Sequence, residues 1–185
     1  LRTETAWGLT RELISRGGGV PALPAARELI DAGYAAGRYQ VWAPRADAVA
    51  KALLAEHQYT SAYDYLKTAE EGYEKEGMAE PLVRTLQTMS SIDQMLNRNE
   101  QANMLLQRAV DAAAHLGPDA LPVRSRLLAA QGRLARTTGR IPESREYFKK
   151  ALALCPQPDK TTGDLALASI SMGEAMLEEI GRAHV

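Results

Sequence analysis

Apolar residues recur along this chain at the spacing of three and four residues that is typical of amphipathic α-helices. Glycine, asparagine or proline separates consecutive apolar stripes, as expected where one helix ends and the next begins. The pattern predicts about nine helices, over residues 3–16, 24–37, 43–56, 59–76, 81–96, 99–116, 121–138, 142–154 and 163–180. The fold class is therefore expected to be all-α.

The connections between most of these helices are short, as in "LNRNEQ" and "TTGRIPE". Because so few residues can only reverse the chain, consecutive helices are expected to pack antiparallel as hairpins. "SRGGGVPALP" is the one long stretch rich in glycine and proline. It divides an expected N-terminal helical pair, residues 1–40, from a regular body, residues 41–185.

The second helix of each hairpin carries a small, a bulky and a small residue at the same offsets. These residues are Ala62, Leu66 and Ala69, then Ala102, Leu106 and Ala109, then Ser144, Phe148 and Ala151, with Pro156 five residues later. The first two sets are 40 residues apart and the last two are 42 apart. The spacing predicts repeats over 43–79, 81–117 and 121–157, with a half repeat over 160–185.

These residues resemble the tetratricopeptide repeat (TPR), a helix pair with small residues at the crossing points and a proline after its second helix. The period exceeds the usual value of about 34 residues, as in kinesin light chains and the bacterial maltose-type transcription activators. Asp93 and Ala135 depart from the family's aromatic preference, His57 replaces a turn glycine, and only Pro156 fills the proline position. The resemblance implies a right-handed superhelical α-solenoid; an irregular helical bundle is the alternative.

Composition and charge narrow the functional classes. With 22 basic and 23 acidic residues the net charge is −1, which argues against a surface built to hold nucleic acid. The single cysteine, Cys155, excludes an intrachain disulfide and a cysteine-built zinc site, and does not distinguish cytoplasm from periplasm; we expect the cytoplasm. No apolar run is long enough to span a membrane. The opening "LRTETAWGLTREL" has no initiator methionine, so we expect a segment of a longer protein.

No motif for catalysis or for cofactor binding occurs. The triple glycine Gly17–Gly19 is followed by "VPALP" and not by the lysine of a phosphate-binding loop. His57, His115 and His184 are far apart and do not have metal-site spacing. We therefore expect no catalytic residue, no metal and no cofactor, and a protein that is not an enzyme.

In a stack of hairpins the first helices line the concave groove, and their residues not used in packing face a bound segment. The residues predicted on this face are Lys51, Arg84, Gln87, Ser91, Gln94, Arg126, Arg133 and Arg140.

Between Pro122 and Pro142 lie five arginines, at positions 124, 126, 133, 136 and 140, and no acidic residue. One interpretation is that an acidic or C-terminal peptide binds there. The other is that the arginines pair with acids on adjacent helices, such as Asp111, Glu143 or Glu146. The lysine and asparagine clamp with which one branch of the family holds a C-terminal carboxylate is not preserved.

The resemblance implies a protein or peptide interaction module, and we expect it to belong to a larger bacterial signalling or transcription-regulatory protein. The alternative is a sensor domain that binds a small-molecule or peptide effector in the groove. The apolar stripe of the last predicted helix, 163–180, also predicts a homodimer through that helix.

Overall fold

The computed structural model describes residues 2–16 and 19–154, which form α-helices, one short 3-10 turn and no strand. The helices are α1 (Arg2–Ser15), α2 (Gly19–Ala35), α3 (Tyr39–Ala55), α4 (Tyr59–Lys75), α5 (Ala79–Met95), α6 (Asn99–Ala114), α7 (Leu121–Thr137) and α8 (Ile141–Leu154), and the 3-10 turn is Pro118–Ala120. The all-α prediction is confirmed. The ninth predicted helix, 163–180, lies outside the described residues, as do Cys155, Pro156 and His184.

The reversals of the chain repeat one local geometry. The residues in the left-handed region are Gly37, His57, Gly77, Asn97 and Gly139, with φ from 57° to 77°. After each, the next backbone N–H donates to the carbonyl five residues earlier, as from Arg98 to Asp93 at 2.8 Å. This is the Schellman arrangement, which pairs carbonyls at a helix end and stops the helix. The connections after α2, α3, α4, α5 and α7 are therefore near-identical turns.

α2 and α3 begin four or five residues before their predicted starts at 24 and 43. The prediction placed Pro24 and Pro44 at or near the first helical position, where proline is most common. Both prolines instead lie inside their helices. For α3, the start is set by the turn at Gly37, and the proline removes one backbone hydrogen bond near the helix beginning.

The chain divides into two compact units, Leu1–Thr85 and Leu86–Val185, with the division inside α5. The first unit holds the hairpins α1/α2 and α3/α4, and the second holds the end of α5 with α6, α7 and α8. Within each unit, helices that follow one another in the chain pack closely together. The predicted separation of residues 1–40 from the repeats stays a prediction.

In the first unit, a buried tryptophan fills the space that a glycine leaves. Trp42 of α3 is fully buried, and its ring lies edge-on to Trp7 with centroids 5.8 Å apart. Gly33 of α2 lies so close that a Cβ there would overlap the indole. The guanidinium of Arg45 lies 4.3 Å from the centroid of the Trp42 ring, as in cation–π pairs. The indole thus joins α1, α2 and α3.

Tyrosines connect the second helices of the two hairpins in this unit. The Tyr34 hydroxyl of α2 donates to the carbonyl of Thr68 in α4 at 2.5 Å, and the Tyr65 hydroxyl of α4 donates back to Leu23 at 3.1 Å. Burial, reinforced by the charge of Glu71, raises the pKa of Tyr34 well above its ordinary value. Burial, reinforced by Asp47, raises the pKa of Tyr73 to about 12.

In the second unit, helices cross where two small residues meet. The Ser90 hydroxyl of α5 donates to the carbonyl of Ala102 in α6 at 2.9 Å. In the next hairpin the Ser144 hydroxyl of α8 donates to Gly132 of α7 at 2.8 Å. Both residues of the second pair stand 42 positions after those of the first, with the donor on the opposite helix. Phe148, fully buried, packs against Gly132.

We expect Gly132→Ala to lower the free energy of unfolding by about 1–3 kcal/mol, because the new Cβ would lie 2.7 Å from the buried Phe148 ring. Gly8→Ala in α1 is the matched control: its Cβ would meet no atom within 4 Å. That change should stabilise by up to about 1 kcal/mol through helix propensity. Denaturant titration of both variants measures the difference. Equal stabilisation by the two changes would show that Gly132 is not in close contact with the Phe148 ring.

We expect stability to fall as pH rises from about 10 to about 12, because the unfolded tyrosines ionise near pH 10 while Tyr34 and Tyr73 stay protonated in the fold. Below pH 10 both states hold these protons, so this contribution is fully present. Denaturant midpoints at pH 8, 10 and 11 measure the slope. Tyr34→Phe should reduce this slope, and it should also lower stability at pH 8 because the hydrogen bond to Thr68 is lost. A slope that does not change would show that Tyr34 does not contribute to the pH dependence.

Candidate protein-interaction surface

Arg124 of α7 donates hydrogen bonds to carbonyl groups at the end of α6 and just after it. Its Nε donates to the carbonyl of Ala113 at 2.8 Å, and Nη2 donates to those of Ala114 and Leu116 at 2.7 and 3.3 Å. The α6–α7 connection has no left-handed residue: Gly117 has φ −57°. This guanidinium therefore provides donors for three carbonyls at the end of α6 and just after it. Arg124 belongs to the fold rather than to a binding face.

Arg140 lies after the left-handed Gly139, beyond the end of α7 at Thr137. Its Nη1 contacts the Glu143 carboxylate at 3.0 Å, and its Nε donates to the Thr138 hydroxyl at 3.1 Å. The prediction that arginines of this run pair with nearby acids is confirmed here. The other two acids considered have different partners: Asp111 accepts from Gln107, and Glu146 pairs with Lys149.

Arg126 and Arg133 are the predicted face residues that α7 presents outward. They are seven positions apart, so two helical turns bring them to the same side of the helix. Both are exposed, whereas Leu127 and Leu134, each one position further on, are buried. No hydrogen bond or ion pair holds the Arg133 guanidinium within the part of the chain that the structure describes. We call this pair the α7 arginine face.

The α5 residues are placed as the helical period predicts. Ser91 is exposed and donates to the Gln87 carbonyl at 3.0 Å, and Gln94 donates to the Ser90 hydroxyl at 3.3 Å. Gln87 and Gln94 are half-buried. These side chains extend a polar stripe along α5 within the second unit.

The two remaining predicted residues belong to the first unit. Arg84 is exposed and pairs with Glu80 at 3.1 Å. Lys51 pairs with Asp47 at 2.6 Å, one helical turn earlier. Pairs of this kind within one helix contribute little to stability. Whether either residue contacts a partner stays a prediction.

The sequence patterns missed Arg98. Its Nε lies 3.0 Å from the Asp93 carboxylate, which is only 1% exposed. Asp93 occupies a position that is Leu53 and Ala135 in the neighbouring repeats, both buried. An acid at a buried apolar position requires a cation, and the turn brings Arg98 to it. In the sequence, the signal for this pair was an acidic residue at a position that is apolar in the neighbouring repeats.

Within residues 2–16 and 19–154, no three His, Cys, Asp or Glu side chains cluster as metal ligands do. Over the same residues no helix has the length and apolar character needed to cross a bilayer.

Solved structures with a similar fold place the chain among helical repeat proteins. A Podosopora anserina kinesin light chain with nearly identical TPR-like repeats superposes at TM-score 0.67, with 15% identity, over 99% of this chain and 89% of its own. Pseudomonas aeruginosa PilF gives 0.60 with 18% identity, over 97% and 69%. Aspartyl phosphate phosphatase F of Bacillus subtilis gives 0.64 with 16% identity, over 96% and 48%.

No protein-family model and no curated protein matches the chain. Because the sequence identities are only 15–18%, the structural similarity shows a shared fold and nothing further. The chain has the α-solenoid fold of TPR-like repeats, as the resemblance of its small and bulky residues predicted.

We expect Arg124→Ala to lower the free energy of unfolding by about 1–3 kcal/mol, because it removes the hydrogen bonds from a charged guanidinium to carbonyls at the end of α6. Arg133→Ala, on the same helix, should change it by no more than about 0.5 kcal/mol. Thermal or denaturant unfolding of the two variants makes the comparison. Equal effects would show that Arg124 does not cap α6.

Proposed function

We propose that this chain is a non-enzymatic protein-interaction module that binds an acidic peptide or protein segment through the α7 arginine face. The observation that carries the proposal is the exposure of Arg126 and Arg133 on one side of α7, a helix with no acidic residue. The TPR-like fold supports it, since stacked helical hairpins present extended surfaces to partners.

The geometry of the face favours carboxylates. Each guanidinium is a planar fork that can form two parallel hydrogen bonds with one carboxylate. Seven residues of helix separate the two side chains by about 10 Å along the axis. An extended peptide of about four residues spans the same distance. Two acidic side chains of one segment can therefore be held at once, which favours a peptide over a single small anion.

The wider setting is also proposed and rests on the resemblance. A TPR-like module of this kind fits a regulatory role within a larger bacterial signalling or transcription-regulatory protein, located in the cytoplasm. Dimerisation through residues 163–180 stays a prediction, since that segment lies outside the described residues.

Charge reversal tests the proposed face. Arg126→Glu with Arg133→Glu should abolish binding of a labelled acidic peptide, because two attractive groups become repulsive. Fluorescence anisotropy measures the affinity, and circular dichroism confirms that the variant is folded. Undiminished affinity would remove these residues from the site.

The matched control reverses two exposed charges elsewhere. Arg11→Glu with Lys67→Glu produces the same change in net charge, in α1 and α4. It should leave the affinity within about twofold, apart from the general effect of net charge. If the control weakened binding as strongly as the α7 variant, the affinity would reflect net charge and not a site. Stabilisation by a small metabolite, with no peptide binding, would favour the sensor alternative.

A further inference from the structure

A short side chain lies between the two arginines of the α7 arginine face. Positions 126, 130, 133 and 137 are spaced four, three and four residues apart, which keeps their side chains on one side of the helix. Arg126, Arg133 and Thr137 are exposed, and Ala130 is half-buried. Two long side chains therefore flank a methyl group. We call the space over this methyl group the Ala130 notch.

A helical ligand presents two acidic side chains at the spacing of the two arginines. Residues seven positions apart on a helix lie on the same side and about 10 Å apart along the axis. In an extended segment the side chains alternate between two sides, so neighbours on one side are about 7 or 14 Å apart. A helix can therefore face both guanidiniums at once, whereas an extended segment requires the arginine side chains to bend, which costs further ordering.

The Ala130 notch allows a second helix to approach α7. Helices pack with their axes about 8–10 Å apart, and the side chains at the contact decide how closely they approach. The second unit already contains such a contact on another side of α7, where the Ser144 hydroxyl of α8 donates to the Gly132 carbonyl at 2.8 Å. Ala130 offers a small residue of the same kind on the outward side of the helix. A partner helix with a small residue between its acids can pack against it.

On the basis of the proposed function, we propose that the α7 arginine face binds a helical segment of a partner protein. The segment carries two acidic residues seven positions apart, which pair with Arg126 and Arg133, and a small residue between them, which packs on Ala130. Charge complementarity favours this ligand, since α7 has no acidic residue to repel it. The conformation of the ligand and the spacing of its acids are thereby defined.

Three fluorescein-labelled peptides test the proposal. Each is about 20 residues of alanine and glutamine, since shorter isolated helices are marginal in water. The first carries two glutamates seven positions apart, and the second carries them five positions apart, on different sides of the helix. The third repeats the first with a proline between the glutamates, which breaks the helix and keeps both charges. Circular dichroism measures the helicity of each peptide, and fluorescence anisotropy measures its affinity for the full chain.

We expect the first peptide to bind roughly tenfold more tightly than the second, because the second can engage only one guanidinium at a time. It should also bind roughly tenfold more tightly than the third, which must order its chain on binding. Similar affinities for all three peptides would overturn the helical ligand and leave the proposed function standing. If no acidic peptide bound at all, both proposals would be wrong.

Ala130→Leu tests the notch. The longer side chain should weaken binding of the first peptide by roughly tenfold, because the two helices can no longer approach closely. Binding of the third peptide should change by no more than about twofold, since a non-helical chain does not pack as a helix against the notch. A variant that had lost its fold would weaken both. Unchanged binding of the first peptide would overturn the proposal.

The matched control is Ala48→Leu. Ala48 is exposed and occupies the equivalent position two repeats earlier, on α3. This change should leave the affinity for the first peptide within about twofold, because α3 has no arginine pair at this spacing. A loss equal to that of Ala130→Leu would overturn the proposal. If Ala130→Leu fails to fold, the comparison of the three peptides with the unsubstituted chain still decides the question.

Discussion

Two helix backbones can meet as closely as they do in the second unit only because both contributing residues are small. At Ser90 and Ala102, and again at Gly132 and Ser144, a hydroxyl donates directly to the carbonyl of the opposing helix. A larger side chain at any of these positions would separate the hairpin and break that bond. The equivalent pair in the first unit, Ala50 and Ala62, is fully buried without a hydroxyl. The size of these residues is therefore the constant feature, and the hydroxyl bond is added where a serine is present.

The repeat also determines which of its arginines pair with other groups of the fold. A left-handed residue ends most helices, and the following arginine then stands at the beginning of the next helix, as at Arg98 and Arg140. The α6–α7 connection lacks this turn, and Arg124 pairs the carbonyls instead. An excess of arginine in a short stretch of sequence therefore does not measure how many arginines are available to a partner.

Much of the fold could be predicted because its determinants are local. Helical periods and turn residues act within a few positions, and small residues at intervals of 40 and 42 residues revealed the repeat. The starts of α2 and α3 were predicted too late, since Pro24 and Pro44 are compatible with either the first or the second helical turn. The roles of the arginines depend on which atoms the fold brings near them. Arg124 reaches carbonyls about ten residues earlier, and the sequence carries no mark of that contact.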